Sequence, residues 1–297
     1  MRILCLHGYG MNPDVMKHQL STLRKLCDPS WEFHFLAGRI QCSPAPGQLM
    51  CARFIVSRLI QITGVQGIPG PYLCYSTDFD PVSMRAAQAL VHEEFETQGP
   101  FDGVFGFSTG ASILAAYLLE QSATHPGKPL PVQFAVFCSA VPIISTDPTY
   151  YQAIYGSLSD EEEQIIRSGQ YDQLVKLPEP MRTAAKTVAN VTDILKPMLR
   201  KSRLHFLDRQ PLEIPCPLHP DLYKARLNIP TLHTRGKKEP PALKECSLVV
   251  ESFCVPSSRR TFEHSTVHGI PTSRGEIEDM LAAMEEVVGS DRRAARL

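Results

Sequence analysis

Short apolar runs alternate with amphipathic stretches along the first half of the chain. Arg2–Leu6 is brief and apolar and stops at His7-Gly8-Tyr9-Gly10, the pattern of a buried strand entering a tight loop. Over Asp14–Cys27, Val15, His18, Leu20, Leu23 and Leu26 recur at helical spacing, and Trp31–Leu36 reads as a second strand. Gly and Pro dominate Gly38–Pro81, which predicts mostly loop with a short helix over Gln48–Ile62. The pattern then sharpens. A helix is predicted over Val82–Thr97, a break at Gly99-Pro100 and a strand over Phe101–Phe105. An Ala- and Leu-rich helix over Thr109–Gln121 and an apolar strand over Val132–Cys138 follow. Such alternation predicts a mostly parallel sheet with helices on both faces, an α/β architecture.

The alternation stops near Pro142. From Ser145 to Asn228 the pattern is helical or irregular, without a convincing strand. Ser159-Asp160-Glu161-Glu162 ahead of Ile165-Ile166 reads as a capped helix start, since acidic groups suit its unpaired N–H ends. Met181–Arg203 is helix-like with a break at Pro197, and Pro211–Pro220 is proline-rich. Alternation then resumes with a strand over Ile229–Thr234, a helix over Pro241–Phe253, a strand over Arg260–Glu263 and a helix over Gly275–Val288. The expected organisation is an α/β core of residues 1–144 and 229–297 carrying an inserted helical cap, 145–228.

Composition narrows the partners. The 297 residues hold 30 Lys+Arg against 31 Asp+Glu, a net charge of −1, and this balance argues against a nucleic-acid binder. No apolar run reaches the roughly 18 residues of a membrane span. Nine cysteines, an odd number without a C-x-x-C pair, argue against a disulfide framework or structural zinc and favour a reducing compartment. Because the chain opens directly on a strand, no signal peptide is expected, and the cytoplasm is the first expectation for location. Ala295-Arg296-Leu297 loosely matches a peroxisomal address, which makes the peroxisome the second.

The candidate chemistry centres on Gly106-Phe107-Ser108-Thr109-Gly110, a G-x-S-x-G between a predicted strand and a predicted helix. A serine on so sharp a turn needs small neighbours, and the helix N-terminus behind it favours a developing oxyanion. Otherwise read, the same string is a glycine-rich turn in a Rossmann-like sheet. A serine nucleophile needs a base held by an acid, in the chain order Ser, Asp/Glu, His for this kind of fold. Glu239, in the loop after the strand Ile229–Thr234, is the candidate acid; the alternative is a solvated charge beside Lys237 and Lys238. His268, in a loop followed by Gly269-Ile270-Pro271, is the candidate base ahead of His264, which abuts the last strand. Tyr9 and Thr109 are the candidate backbone donors of an oxyanion hole. No metal and no cofactor are expected. The His264-x-x-x-His268 spacing lacks the zinc-protease Glu, and Gly8-x-Gly10 lacks the third glycine of a dinucleotide fingerprint, because residue 13 is Pro.

Five blocks together resemble the fungal family of serine hydrolases (FSH) within the α/β-hydrolase superfamily. They are Arg2–Asn12, Gly70-Pro71-Tyr72, Gly99–Ala111, Pro230-Thr231-Leu232-His233 and His268-Gly269-Ile270-Pro271. The resemblance implies an α/β-hydrolase fold and a Ser–Asp–His triad, carried here to Ser108 and His268. The acid departs from the family pattern, with Glu239 where an aspartate is expected. Several members act beside fungal polyketide synthases as thioesterases, which implies a thioester or ester of a polyketide-type acyl group and an acyl-carrier protein as partner. An apolar stripe of Met181, Val188, Val191, Ile194, Leu195 and Leu199 would line an acyl cleft or pack on the core. Two further functions stay open at this point. One is acyl transfer to an alcohol or amine by the same triad, and the other is a non-catalytic ligand-binding scaffold of the same fold.

Overall fold

Six strands form the main sheet, in the order β2-β1-β5-β6-β7-β8 and with every neighbouring pair parallel. They are β1 (Arg2–Leu6), β2 (Glu32–Leu36), β5 (Gly103–Phe107), β6 (Phe134–Cys138), β7 (Thr231–Gly236) and β8 (Arg259–His264). Two short strands, β3 (Ile40–Gln41) and β4 (Leu73–Cys74), pair antiparallel in a separate ribbon. These come from a computed structural model that describes residues 1–45, 68–156, 158–168, 170–186, 189 and 215–294.

Alternate residues of the central strands feed two cores, one on each side of the sheet. Leu4, Leu6, Val104, Ala135 and Phe137 join one apolar cluster, under α3 (Pro81–Gln98) and α4 (Thr109–Thr124). Ile3, Cys5, Phe105, Val136 and Cys138 join the other, with Val15, Met16 and Leu23 of the N-terminal helices and Ile277, Met280 and Met284 of the closing helix Arg274–Ala294. A strand buried on both faces reads as a continuous apolar run, which is why β5 and β6 stand out in the sequence. The predicted α/β-hydrolase architecture is the one observed.

Differences of detail have physical reasons. The predicted Asp14–Cys27 helix is two helices, α1 (Pro13–Gln19) and α2 (Ser21–Leu26), parted at Leu20, which is completely buried. Asn12 Oδ1 caps α1 by accepting the Val15 N–H at 2.8 Å. The strands predicted over Phe101–Phe105 and Ile229–Thr234 lie two residues further on, at Gly103–Phe107 and Thr231–Gly236. Pairing sets the first boundary: Ile3 stands opposite Gly103, while Asp102 Oδ2 accepts the Arg2 N–H at 2.7 Å just ahead of it. As a result Ser108 follows β5 directly.

Between β6 and β7 the described residues add nothing to the main sheet. They form the helices Pro148–Tyr155, Asp160–Ser168 and Tyr171–Leu174, with an isolated bridge between Ile144 and Pro217 and another between Leu227 and Cys254. Ser159 and Glu162 make a reciprocal cap: Ser159 N–H donates to Glu162 Oε2 at 2.9 Å, and Ser159 Oγ accepts the Glu162 N–H at 3.3 Å. Met181 is buried in the core cluster beneath α3 and α4. Val188, Val191, Ile194, Leu195, Leu199, the Pro197 break, the Gln48–Ile62 helix and Ala295-Arg296-Leu297 lie outside the described residues. Among the described residues, no helix is long and apolar enough to cross a membrane.

Candidate active site

Ser108 is perched between β5 and α4 at φ 53° and ψ −119°, a left-handed conformation that a side chain enters only at a cost of about 1–3 kcal/mol. Its surroundings hold it there. The Ser108 N–H donates to the Cys138 carbonyl at 2.9 Å, and the crowding behind it excludes any side chain at Gly110, where a Cβ would run into the Leu6 carbonyl oxygen. The second glycine of the motif therefore lets the helix pack directly against β1.

His268 Nε2 lies 3.0 Å from Ser108 Oγ, and His268 Nδ1 lies 2.5 Å from Glu239 Oε1. Since an ionised carboxylate only accepts, Nδ1 carries the proton and Nε2 turns its lone pair to the serine hydroxyl. The Glu239 side chain is fully buried, and its other oxygen has no hydrogen-bond partner among the described residues. A tight turn after β7 puts it there, with the Glu239 N–H donating to the Gly236 carbonyl at 3.1 Å. This group is not a solvated charge beside lysines. His264, the other histidine of the loop, is completely buried and engages Thr266 Oγ1 at 2.7 Å through Nδ1.

The loop after β1 abuts the serine, since a Cβ built on Gly8 would lie 3.3 Å from Ser108 Cβ. Tyr9 in this loop packs half-buried on the core, and Thr109 opens α4, where the first N–H groups lack intrahelical acceptors. His7 braces the loop from inside. Its Nε2 accepts the Gly38 N–H at 3.1 Å, which leaves Nδ1 to donate to the Gly8 carbonyl at 2.8 Å. The Tyr75 hydroxyl accepts the His7 N–H at 3.1 Å and donates to the Leu36 carbonyl at 2.9 Å.

Sequence reasoning missed this bracing, because nothing in the local pattern marks Gly38 or Tyr75. It also missed Ser139, a buried residue at φ 45° after β6. The Ser139 N–H donates to the Thr234 carbonyl at 2.7 Å and its Oγ to the Gly269 carbonyl at 3.4 Å, which links β7 to the loop of His268.

Gly236, at the end of β7, has a directly testable role. A Cβ there would run into the carbonyl oxygens of Thr266 and Val267, next to His268. Gly236→Ala should push this loop outward and lower kcat by roughly 10²-fold, the order expected for a misplacement of about 1 Å. Steady-state kinetics alongside circular dichroism would check it, and unchanged kcat in the folded variant would disprove it.

Three buried imidazoles bear on acid stability. Burial holds His7 and His264 down at about 4 and His233 at about 3, the last helped by Arg235 and Arg259. Each takes up its proton more readily in the unfolded chain, near 6.5, so the contribution is complete above that pH. It is lost as pH falls from about 6.5 towards 4, by up to about 1.4 kcal/mol per pH unit for each group. Denaturation midpoints in urea should decline over this window, and a flat profile would contradict neutral burial.

A hydroxyl on a strand–helix bend, an imidazole and a carboxylate, in the chain order Ser, Glu, His at the C-terminal ends of a parallel sheet, define an α/β hydrolase. The chain belongs to the FSH1 serine hydrolase family, whose profile matches residues 1–280. It is 41% identical over 220 residues to the serine hydrolase cnsH of Penicillium expansum, covering 74% of this chain and 91% of that one. To the esterase alnB of Emericella nidulans it is 31% identical over 288 residues, covering 96% and 95%. The hydrolase FUB4 of Fusarium oxysporum is 27% identical over 310 residues, covering 98% and 99%.

Proposed function

We propose that this serine hydrolase cleaves a thioester or ester through an acyl-enzyme on Ser108. His268 takes the serine proton as the oxygen attacks the acyl carbonyl, and Glu239 holds the imidazole tautomer and stabilises the imidazolium. The N–H groups of Tyr9 and Thr109 receive the oxyanion, and water, activated by the same imidazole, then releases the acid. The observation that carries this reading is the unbroken chain of contacts from Ser108 Oγ through His268 to Glu239. Membership of a serine hydrolase family replaces the non-catalytic alternative.

The acyl group is of polyketide type and arrives on an acyl-carrier protein, a reading supported by the family resemblance. Residues 145–228 act as a cap over the 1–144 and 229–297 core, supported by their leaving the sheet after β6 and rejoining it at β7. The compartment is the cytoplasm, on the cysteine composition given above. Incubation with an acyl N-acetylcysteamine thioester, alone and with an alcohol or amine acceptor, tests the reaction. Free acid as the sole product in both is expected, and acceptor ester or amide as the main product would assign acyl transfer instead.

A further inference from the structure

The ribbon of β3 and β4 carries a pair of thiols that the hydrolytic chemistry does not use. Ile40 stands opposite Cys74 and Gln41 opposite Leu73, and the Cys42 N–H extends the ladder by donating to the Tyr72 carbonyl at 3.0 Å. Cys42 is therefore two positions from the residue facing Cys74, on the same side of the ribbon. Across the ribbon Cys42 and Cys74 act on each other's ionisation, and the Gly10 backbone acts on that of Cys42.

Cys42 differs from the other described cysteines in two ways. It is part-exposed whereas they are buried. The neighbouring Cys74 thiol and the Gly10 backbone lower its pKa, whereas Cys42 and burial push that of Cys74 well up, and burial pushes up Cys5, Cys27, Cys138, Cys216, Cys246 and Cys254. A part-exposed thiol whose pKa is lowered, with a second thiol on the same face of the ribbon, is the arrangement that oxidises to a disulfide.

We propose that Cys42 and Cys74 are a reversible oxidation site for hydroperoxides, and that their disulfide slows hydrolysis at Ser108. The Cys42 thiolate attacks one peroxide oxygen, so that an S–O bond forms, the O–O bond breaks and the other oxygen leaves as alcohol or water. Cys74 sulfur then attacks the sulfenic sulfur, an S–S bond forms, and the hydroxyl departs with the thiol proton as water.

The coupling to the active site is geometric. Diagonal partners on antiparallel strands sit roughly 7–8 Å apart, whereas a disulfide prefers roughly 4.4–6.8 Å between Cα atoms, so the ribbon must draw in. This ribbon holds the loop that faces Ser108. Gly10 N–H donates to the Leu73 carbonyl at 3.1 Å, Ala45 N–H to the Gly10 carbonyl at 3.1 Å, and Leu73 N–H to the Met11 carbonyl at 2.6 Å. Drawing it in moves the backbone next to Tyr9. The rate effect rests on the oxyanion role proposed for Tyr9, but the disulfide does not.

The test treats the full chain with a small excess of hydrogen peroxide and reads both mass and ester turnover. Expected are the loss of two hydrogens, a Cys42–Cys74 linked peptide, and turnover reduced roughly tenfold, within the ~10²-fold range for a shift of about 1 Å. Dithiothreitol should restore both readouts. Cys42→Ser should keep its activity with and without peroxide, and Cys74→Ser should stop at a sulfenic acid on Cys42 that dimedone traps. Both thiols remaining open to iodoacetamide after treatment would overturn the site. A disulfide with unchanged turnover, or equal inactivation of Cys42→Ser, would overturn the coupling. Should the reduced enzyme show no Ser108-dependent turnover, the proposed function fails, and the peptide map still decides the disulfide.

Discussion

Ser108→Ala should lower kcat for ester hydrolysis by about 10⁴- to 10⁶-fold, with KM little changed. In the proposed reaction the hydroxyl oxygen attacks, and among the described residues the imidazole Nε2 3.0 Å away meets no second hydroxyl. His268→Ala should cost about the same, and the double variant should be hardly worse than either alone. Such non-additivity follows when nucleophile and base act as one unit, since a serine without its base is already inert. Circular dichroism should show both variants folded. The Ser108 change should even favour stability slightly on substitution to glycine, because the left-handed conformation suits a residue without a Cβ. Losses that multiply in the double variant would show that the two groups act independently and would contradict the contact read from the geometry.

The second large effect concerns the acid. Glu239→Gln should lower kcat by about 10⁴-fold while keeping the shape of the site, as expected when an imidazole loses the carboxylate that sets its tautomer. The amide NH₂ would face Nδ1 as a donor, so the ring proton would move to Nε2 and the serine would meet a donor instead of a base. Stability should hold or rise, because Glu239 is fully buried and its second oxygen is unpartnered among the described residues. Glu239→Asp separates chemistry from reach. The charge stays, but the shorter side chain draws back by about one C–C bond, roughly 1.5 Å, from a contact now 2.5 Å long. Its activity should fall between wild type and the Gln variant. Equal activity of all three proteins on ester substrate would show that another group orients His268.

These expectations trace back to features of very different legibility. Ser108 could be found from sequence because a strained strand–helix turn demands small residues at fixed offsets, and few other strings meet that demand. Glu239 and His268 were legible only through chain order and position after a strand, since a lone carboxylate or imidazole in a loop has no local signature. Their separation from the lysines and from His264 needed coordinates: burial of the Glu239 side chain and the His264–Thr266 contact are tertiary facts.

The supporting residues show the limit more sharply. Ser139 adopts φ 45° without a glycine or asparagine to announce it, because the demand comes from β7 and the His268 loop. Tyr75 and Gly38 meet His7 from segments far off in sequence, in a stretch that reads as loop. Strand ends were displaced by two residues for a related reason. Apolar runs report burial, whereas the ladder with the neighbouring strand determines where a strand begins, as Ile3 opposite Gly103 does for β5. The paired layers of helix and sheet, in contrast, follow from periodicity alone and were legible throughout the core.

In the proposed reaction one serine oxygen, that of Ser108, forms the covalent bond. Intact-protein mass spectrometry after exposure to a fluorophosphonate, followed by peptide mapping, addresses it most directly. A single adduct on Ser108 is expected, absent from the folded Ser108→Ala variant. A folded, unlabelled wild-type protein, or an adduct carried by a different residue, would contradict it.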